Sequence, residues 1–348
     1  MLLRRATVEI MNEYKQRNLA PIFIVSSGRA GTTLLRGILN ASNQIYFPHE
    51  SDFIARAYPF YKDKQSLTEE DYQFLVKLFI KNSQKSGWGM TEEYLLSYLK
   101  QQNCQTLAEV QSDICQAYFE QEHLKNLQWG IKTPVLIFHL DQIRGLFPDA
   151  KIIHMVRDGR DVILSYKKVH QTEEGKAKFG PSGIITGAFY WIDGIRRIER
   201  FKSDRNIYEF TYCDLVTDSD NTLEKLFHFL NINYDPSISQ NYYQAKQNKD
   251  LLLSSHKKTI HAKIYQGIDS NNIQKFKDEM SSFDQLIFEL IGSSYLEKYD
   301  YPIQHTWTTW KIFTVLRQPL YFVARQFNNW RYHRRDLQRY QRVKNQIE

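Results

Sequence analysis

The chain has 348 residues, 42% of them hydrophobic and 24% charged, with a formal net charge of +7. That is long and apolar enough to bury a large core, which excludes a disordered chain, and one soluble domain is expected. Cys104, Cys115 and Cys213 show no CxxC spacing, and the ten histidines form no HExxH pair or Cys/His cluster, so a reducing compartment is expected, with neither a disulfide framework nor a metal site.

Residues 1–20 are short and mixed in charge. Met1-Leu2-Leu3-Arg4-Arg5 has no apolar stretch behind it, and no run of 18 apolar residues occurs anywhere. Neither a signal peptide nor a membrane span is expected. Residues 21–25 (Pro-Ile-Phe-Ile-Val) predict a strand. Ser26, Ser27, Gly28, Arg29, Ala30 and Gly31 predict a tight loop. Thr32 and Thr33 open a helix, with Leu34, Leu35, Ile38 and Leu39 at helical spacing. Strand, glycine loop and helix N-terminus make an anion site: loop N–H groups point inward and the helix end carries partial positive charge. Arg29 adds a guanidinium, and the two threonines add hydroxyls. The expected ligand is a phosphate, a sulfate, or both. The common ATP loop places Lys directly before its Ser/Thr. Here Gly31 stands there, and no Lys lies between 17 and 61.

Residues 52–125 read as helices rich in Tyr, Phe and Gln, for example 68–82 and 106–122. They interrupt an α/β pattern and predict a cap on the acceptor side. Alternation resumes over 128–212, with strands at 128–132, 151–156 and 206–211 and helices at 136–146, 160–170 and 184–202. Such alternation argues for a parallel sheet with helices on both faces. Lys132 ends the first of these strands. Arg157-Asp158-Gly159-Arg160 turns out of the second. Arg157 and Ser165, eight residues on, can reach one phosphate. Arg160 reads as a supporting salt bridge rather than a phosphate ligand. Tyr212 follows the third strand and reads equally as a ligand contact or as core. Residues 221–298 read as helical.

The stretch 305–348 differs in composition. It holds nine Lys/Arg against two acidic residues, so the whole net charge sits there, beside Trp307, Trp310 and Trp330. Arg beside Trp and Phe suits an interfacial helix on anionic lipid; the alternative is a helix packed on the protein's own body or a second subunit. The basic residues lack any recognised nucleic-acid module, so nucleic acid is not an expected partner.

The two anion motifs together resemble the sulfotransferases that use 3′-phosphoadenosine 5′-phosphosulfate (PAPS) and release PAP. Arg29-Ala30-Gly31-Thr32-Thr33-Leu34 is similar to that family's 5′-phosphosulfate loop. Arg157-Asp158-Gly159-Arg160 with Ser165 is similar to its 3′-phosphate element. The resemblance covers about 20–300 and looks most like the tyrosylprotein sulfotransferases and related bacterial enzymes. It implies a P-loop-like three-layer α/β fold with a central parallel sheet, a sulfotransferase domain over 1–304 with a helical cap insertion at about 52–125, and a basic helical tail over 305–348. It also implies roles.

Cytosolic members take a base from Lys-Thr-His; this chain has Lys132-Thr133-Pro134. The tyrosylprotein enzymes use a Glu about 21 residues past the loop Arg, and Glu50 stands 21 residues after Arg29. Glu50 is thus the expected base, with His49 the competing one. A partly desolvated carboxylate suits that work. Lys132 and Arg29 would stabilise charge on the leaving group. Ser27 to Thr33, Arg157, Ser165 and Tyr212 would hold the cofactor, with no metal. A basic segment around Ser254, Ser255, His256, Lys257, Lys258 and Lys263 would close over it.

The acceptor implied is a tyrosine peptide. No apolar anchor precedes residue 21, unlike those lumenal enzymes, so a glycan or lipid-linked sugar, a cytoplasmic or membrane-peripheral location, and a homodimer stay open. The rival classes are an ATP-dependent kinase and a non-catalytic nucleotide-binding protein.

Overall fold

The computed structural model describes residues 19–83, 87–171, 180–244 and 268–305, with three isolated positions beyond. The segment 254–263 and nearly all of 305–348 lie outside the described residues.

Five strands form one parallel sheet: β1 (Ile22–Val25), β2 (Ile45–Tyr46), β3 (Gln128–Lys132), β4 (Lys151–Val156) and β5 (Ile207–Thr211), in the order β2-β3-β1-β4-β5. The helices are α1 (Thr32–Ala41), α2 (Phe53–Tyr61), α3 (Glu69–Ser83), α4 (Glu92–Gln102), α5 (Leu107–Gln121), α6 (Leu140–Leu146), α7 (Gly159–His170), α8 (Ile184–Glu199), α9 (Tyr212–Thr217), α10 (Ser219–Leu230), α11 (Ser237–Asn241), α12 (Phe276–Glu279) and α13 (Ser282–Lys298). β1 is buried along its whole length, as a parallel strand covered on both faces must be. Phe23 and Val25 face one core with Trp129, Ile131 and Ile152; Ile22 and Ile24 face the other with Leu35, Ile38, Ile153 and Met155. The three-layer α/β reading therefore holds.

The strand order places the active crevice. β1 has β3 on one side and β4 on the other. From β1 the chain crosses to the β2 edge, whereas from β4 it runs to β5 on the other side, and a crevice opens at such a reversal. Ile24 pairs with Lys132 in β3 and with Ile153 in β4. The loop after β1, Lys132 at the end of β3 and Arg157 just past β4 are thus brought to one edge.

The stretch 52–125, where a cap is expected, folds as helices α2–α5. Its core runs through edge-to-face rings, Phe53 on Phe79, Phe79 on Trp88 and Trp88 on Tyr118, with centroids 5.7, 5.1 and 5.2 Å apart, and joins β2 where Tyr46 meets Phe119 edge-on at 5.7 Å. Thr91 caps α4, and Thr106 with Glu109 forms a capping box on α5.

Two expectations are corrected, and one strand is added. Residues 136–146 are not one helix: a 3₁₀ segment over Pro134–His139 precedes α6. Pro134 lacks an N–H, and its carbonyl accepts from Ser26 N at 3.2 Å, so the chain starts tightly. Residues 221–298 are not continuously helical, because 231–236 and 273–275 are irregular. β2 went unpredicted, because two residues carry no alternation to read.

Arg160 is fully buried and is a structural cation, as expected. It pairs with Asp158 at 2.6 Å and Glu289 at 2.5 Å, and its guanidinium lies 3.7 Å from the Phe276 ring centroid. Glu289, on α13, also accepts from the backbone N–H groups of Gln304 and His305, each at 3.1 Å. Burial pushes its pKa up, but His305, these two N–H groups and Arg160 outweigh that and hold it below the ordinary carboxylate value. A carboxylate lowered on folding contributes stability above its unfolded pKa, and that contribution is lost as pH falls through the folded value. Glu289→Ala should destabilise the protein by about 3–5 kcal/mol at neutral pH in urea unfolding, because it strands a buried charge. The loss should shrink as pH falls below the ordinary carboxylate range.

Candidate active site

The loop between β1 and α1 is held in an uncommon backbone shape. Gly28, Arg29 and Gly31 have φ of 80°, 53° and 93°. A non-glycine residue seldom adopts that region, so Arg29 is held there by its surroundings. Ser26 Oγ accepts from Gly28 N at 3.0 Å. No side chain caps α1 and no acid lies in its first turn, which leaves the helix end suited to an anion.

Tyr166 braces this loop and was not singled out from sequence. Its hydroxyl donates to Ser27 O at 3.1 Å from α7, the helix that also carries Ser165. Its hydroxyl oxygen lies where a Cβ on Gly28 would sit, 2.0 Å away. Ala30 and Thr32 are buried in the same turn.

The second predicted element meets the first. Arg29 Nε donates to Ser165 Oγ at 3.0 Å, and Arg157 Nη1 donates to Arg29 O at 3.2 Å. Arg157 is framed on three sides. Its guanidinium stacks 4.8 Å from the Tyr212 ring centroid, Asp161 lies 3.6 Å away, and its Nη2 donates to Asn272 O. Trp191 Nε1 donates to Arg157 O at 2.9 Å and fixes the turn. Among the described residues, Arg157 Nε is buried with no hydrogen-bond partner. Burial pushes the Arg29 pKa down and the Arg157 charge pushes it further, while Tyr166 and Glu50 oppose them. Two cations and a hydroxyl thus surround one partly dry spot. An anion there would complete the electrostatics.

The third cluster joins Glu50, Lys132 and Thr33. Lys132 is only 2% exposed; its Nζ contacts Glu50 Oε1 and donates to Thr33 Oγ1 at 3.2 Å. The Glu50 side chain keeps 32% of its surface exposed, so it faces the crevice while paired. The approach to Glu50 is pinned: Asn40 bonds both the N–H and the carbonyl of Phe47, and Arg36 donates to Pro48 O at 3.1 Å. Phe47 lies where a side chain at Gly130 would sit, so only glycine fits there. His49 instead packs beside Gly87 and edge-on to Tyr118, on the cap side.

Among the described residues, Ser27 to Thr33, Glu50, Lys132, Arg157 and Ser165 fall at this one edge of the sheet, while the predicted segment 254–263 lies outside them. Tyr212 lies behind it, buried against Gly31 and beneath Arg157, with burial raising its pKa. Asp161 and Asn272, which frame Arg157, were missed. Asp161 accepts from Phe276 N at 2.9 Å and so ties a segment from far along the chain to this turn. No group of three or more His, Cys, Asp or Glu suited to a metal occurs among the described residues.

Residues 21–236 match the sequence model of the sulfotransferase family. A protein of Aquifex aeolicus (strain VF5), described as uncharacterised, is 23% identical over 255 residues, which is 69% of this chain; the match spans 29% of that relative's length. Two solved structures share the fold at 20% identity. One is a sulfotransferase domain from the curacin biosynthetic pathway (TM-score 0.51, covering 82% of this chain and 99% of that one). The other is a sulfotransferase domain from the Synechococcus PCC 7002 olefin synthase (TM-score 0.52, covering 82% and 96%).

The loop shape is directly testable. Gly28→Ala places a methyl against the Tyr166 hydroxyl at a positive φ, and thermal unfolding should report a loss of about 1–3 kcal/mol. Adding Tyr166→Phe removes the nearest atom, so the double variant should recover part of that loss. Strictly additive losses would refute the contact.

Proposed function

The chain belongs to the sulfotransferase family, and on that premise we propose that it moves a sulfuryl group from PAPS to an acceptor hydroxyl with Glu50 as base. The observation that carries this reading is the buried Lys132 ammonium, held between Glu50 and Thr33 at the strand end beside the anion loop. A lysine this dry, touching both a carboxylate and the loop helix, is placed to act on charge at the junction of acceptor and donor.

The residues present fit the cofactor. Arg157 has a buried Nε without a partner, and with Ser165 it would hold the 3′-phosphate. Ser27 to Gly31, through their backbone, and Thr32 and Thr33 at the α1 terminus would hold the 5′-phosphosulfate beside Arg29. Bound PAPS supplies a sulfuryl group on a phosphate leaving group. Glu50 takes the acceptor proton, while Lys132 and Arg29 hold the charge that gathers on the leaving oxygens. Tyr212 supports Arg157 from behind. Sulfuryl transfer of this kind needs the acceptor oxygen in line with the breaking bond. The loop has no lysine for a β/γ-phosphate, which weighs against a kinase.

The acceptor is a hydroxyl on a tyrosine peptide, a glycan or a lipid-linked sugar. The basic, aromatic composition of 305–348 supports a seat on anionic lipid, near an acceptor of the last kind. Labelled PAPS offered with tyrosine peptides and with glycolipid extracts separates these acceptors. Labelled sulfate transferred to none of them would favour a non-catalytic nucleotide-binding protein.

Calorimetric titration should find PAP far tighter than ADP, without magnesium. Arg157→Ala should remove most of that preference, because a charge-assisted contact is worth about 1.5–3 kcal/mol. Equal affinities for PAP and ADP would sink the cofactor assignment. Glu50→Gln keeps the side chain's shape but removes its proton affinity; turnover should fall about 10²–10⁴-fold with PAP affinity little changed. Near-normal turnover in Glu50→Gln together with loss in His49→Ala would move the base to His49.

A further inference from the structure

β2 pairs with β3 only at Ile45 and Tyr46, opposite Gln128 and Trp129. Pro48 then follows and cannot donate to a ladder. Beyond Tyr46, the stretch reaching Glu50 therefore depends on side chains for its position. Asn40 and Arg36 hold Phe47 and Pro48. The next fixed point is Ser51, and it is fixed by one side chain. Thr133 Oγ1 accepts from Ser51 N at 3.0 Å and donates to Ser51 O at 3.1 Å. Both residues are buried.

We infer that Thr133 is the positioning residue that sets Glu50 against Lys132. The inference rests on the reading of Glu50 as base. Only His49 and Glu50 lie between the Pro48 anchor and the Ser51 anchor, so the two bonds to one hydroxyl fix the chain directly after Glu50. Thr133 directly follows Lys132 on β3. The carboxylate and the ammonium are therefore referenced to the same strand end, one residue apart, rather than to separate loops. The hydroxyl must donate and accept at once. Ser or Thr supplies both from a single oxygen, whereas Val copies the shape and supplies neither. Ser51 in turn uses its own Oγ to accept from Phe53 N at 3.2 Å, opening α2 and so leaving the pinning of its backbone to Thr133.

The test compares Thr133→Val and Thr133→Ser in the full-length protein. Its readouts are crystal structures, PAP titration, and release of labelled sulfate from PAPS into water as the surrogate acceptor. In that reaction water forms a bond to sulfur, the bond to the phosphate oxygen breaks, PAP leaves, and the water's proton goes to Glu50. Thr133→Val should show Glu50 Oε1 withdrawn from Lys132 Nζ. It should lower the rate at saturating PAPS by about 10–100-fold, with PAP affinity unchanged within about twofold. Thr133→Ser should restore the contact and most of the rate. On a Glu50→Gln background, Thr133→Val should add little further loss, because both act through one carboxylate.

A Thr133→Val structure with Glu50 still seated on Lys132 overturns the inference, as does a full independent loss on the Glu50→Gln background. If Glu50→Gln alone keeps the wild-type rate, the base assignment fails, while the crystal structures still decide the positioning. Lost PAP affinity in Thr133→Val, not rescued by Ser, would mark a general folding defect and count against a positioning role.

Discussion

Like charges in a dry crevice repel, and much of this structure follows from how Arg29 is kept beside Arg157. Most of the oxygens that meet the two guanidiniums are not full counter-charges. Ser165 Oγ meets Arg29, and the carbonyls of Arg29 and Asn272 meet Arg157. Among the described residues, Asp161 is the carboxylate paired with Arg157; burial raises its pKa and Arg157 only partly opposes that. Carbonyl and hydroxyl oxygens stabilise a cation less than a carboxylate does, so an anion that arrives there need not displace a fixed counter-ion. The contrast with Arg160, three residues on, is direct. Arg160 is fully neutralised by Asp158 and Glu289 and belongs to the framework.

Holding the cations near each other takes rigid supports, and the parallel sheet supplies them. β3, β1 and β4 lie side by side in register, and their ends deliver Lys132, the anion loop and Arg157 to one edge. Backbone clamps then fix the last ångström: Ser26 to Pro134, Tyr166 to Ser27, and Trp191 to Arg157. Each clamp joins segments remote in sequence. Disturbing one therefore moves a charge relative to its neighbours without removing any residue that would touch a ligand.

What could be read from the sequence was whatever has a local signature. The strand, glycine loop and helix start around Gly28 and Gly31 appear where apolar runs, glycines and helical spacing put them. The step from Arg157 to Ser165 maps onto a turn and two turns of α7 for the same reason. Glu50 and Lys132 came from resemblance, and the structure brings them into contact. The unread part consists of partners chosen by folding alone. Tyr166 lies 139 residues from the Ser27 carbonyl it holds, and Glu289 lies 129 from Arg160. Asn272 and Phe276 reach the Arg157 turn from 115 residues away. A tyrosine or glutamate at such a position has no neighbour in sequence to mark it. The split of 134–146 into a 3₁₀ segment and α6 likewise comes with a distant bond, from Ser26 to Pro134, that no local pattern marks.

Ser51 is one of the points where helices α2–α5 join the sheet, beside the ring contacts of Tyr46 with Tyr118 and Phe119. Ser51 bonds through its backbone to Thr133 at the end of β3 and through its side chain to the first N–H of α2. Everything before it, from Phe47 to Glu50, is referenced to α1 and β3. Everything after it enters the aromatic core of the cap, through Phe53, Phe79, Trp88 and Tyr118. His49 is the exception, because its ring already leans on Tyr118 and Gly87. The wall nearest the carboxylate is thus built partly from cap residues, while the carboxylate itself is held from the sheet. The stretch that carries Glu50 is held from both sides, by α1 and Thr133 on one and by the His49 ring contacts on the other.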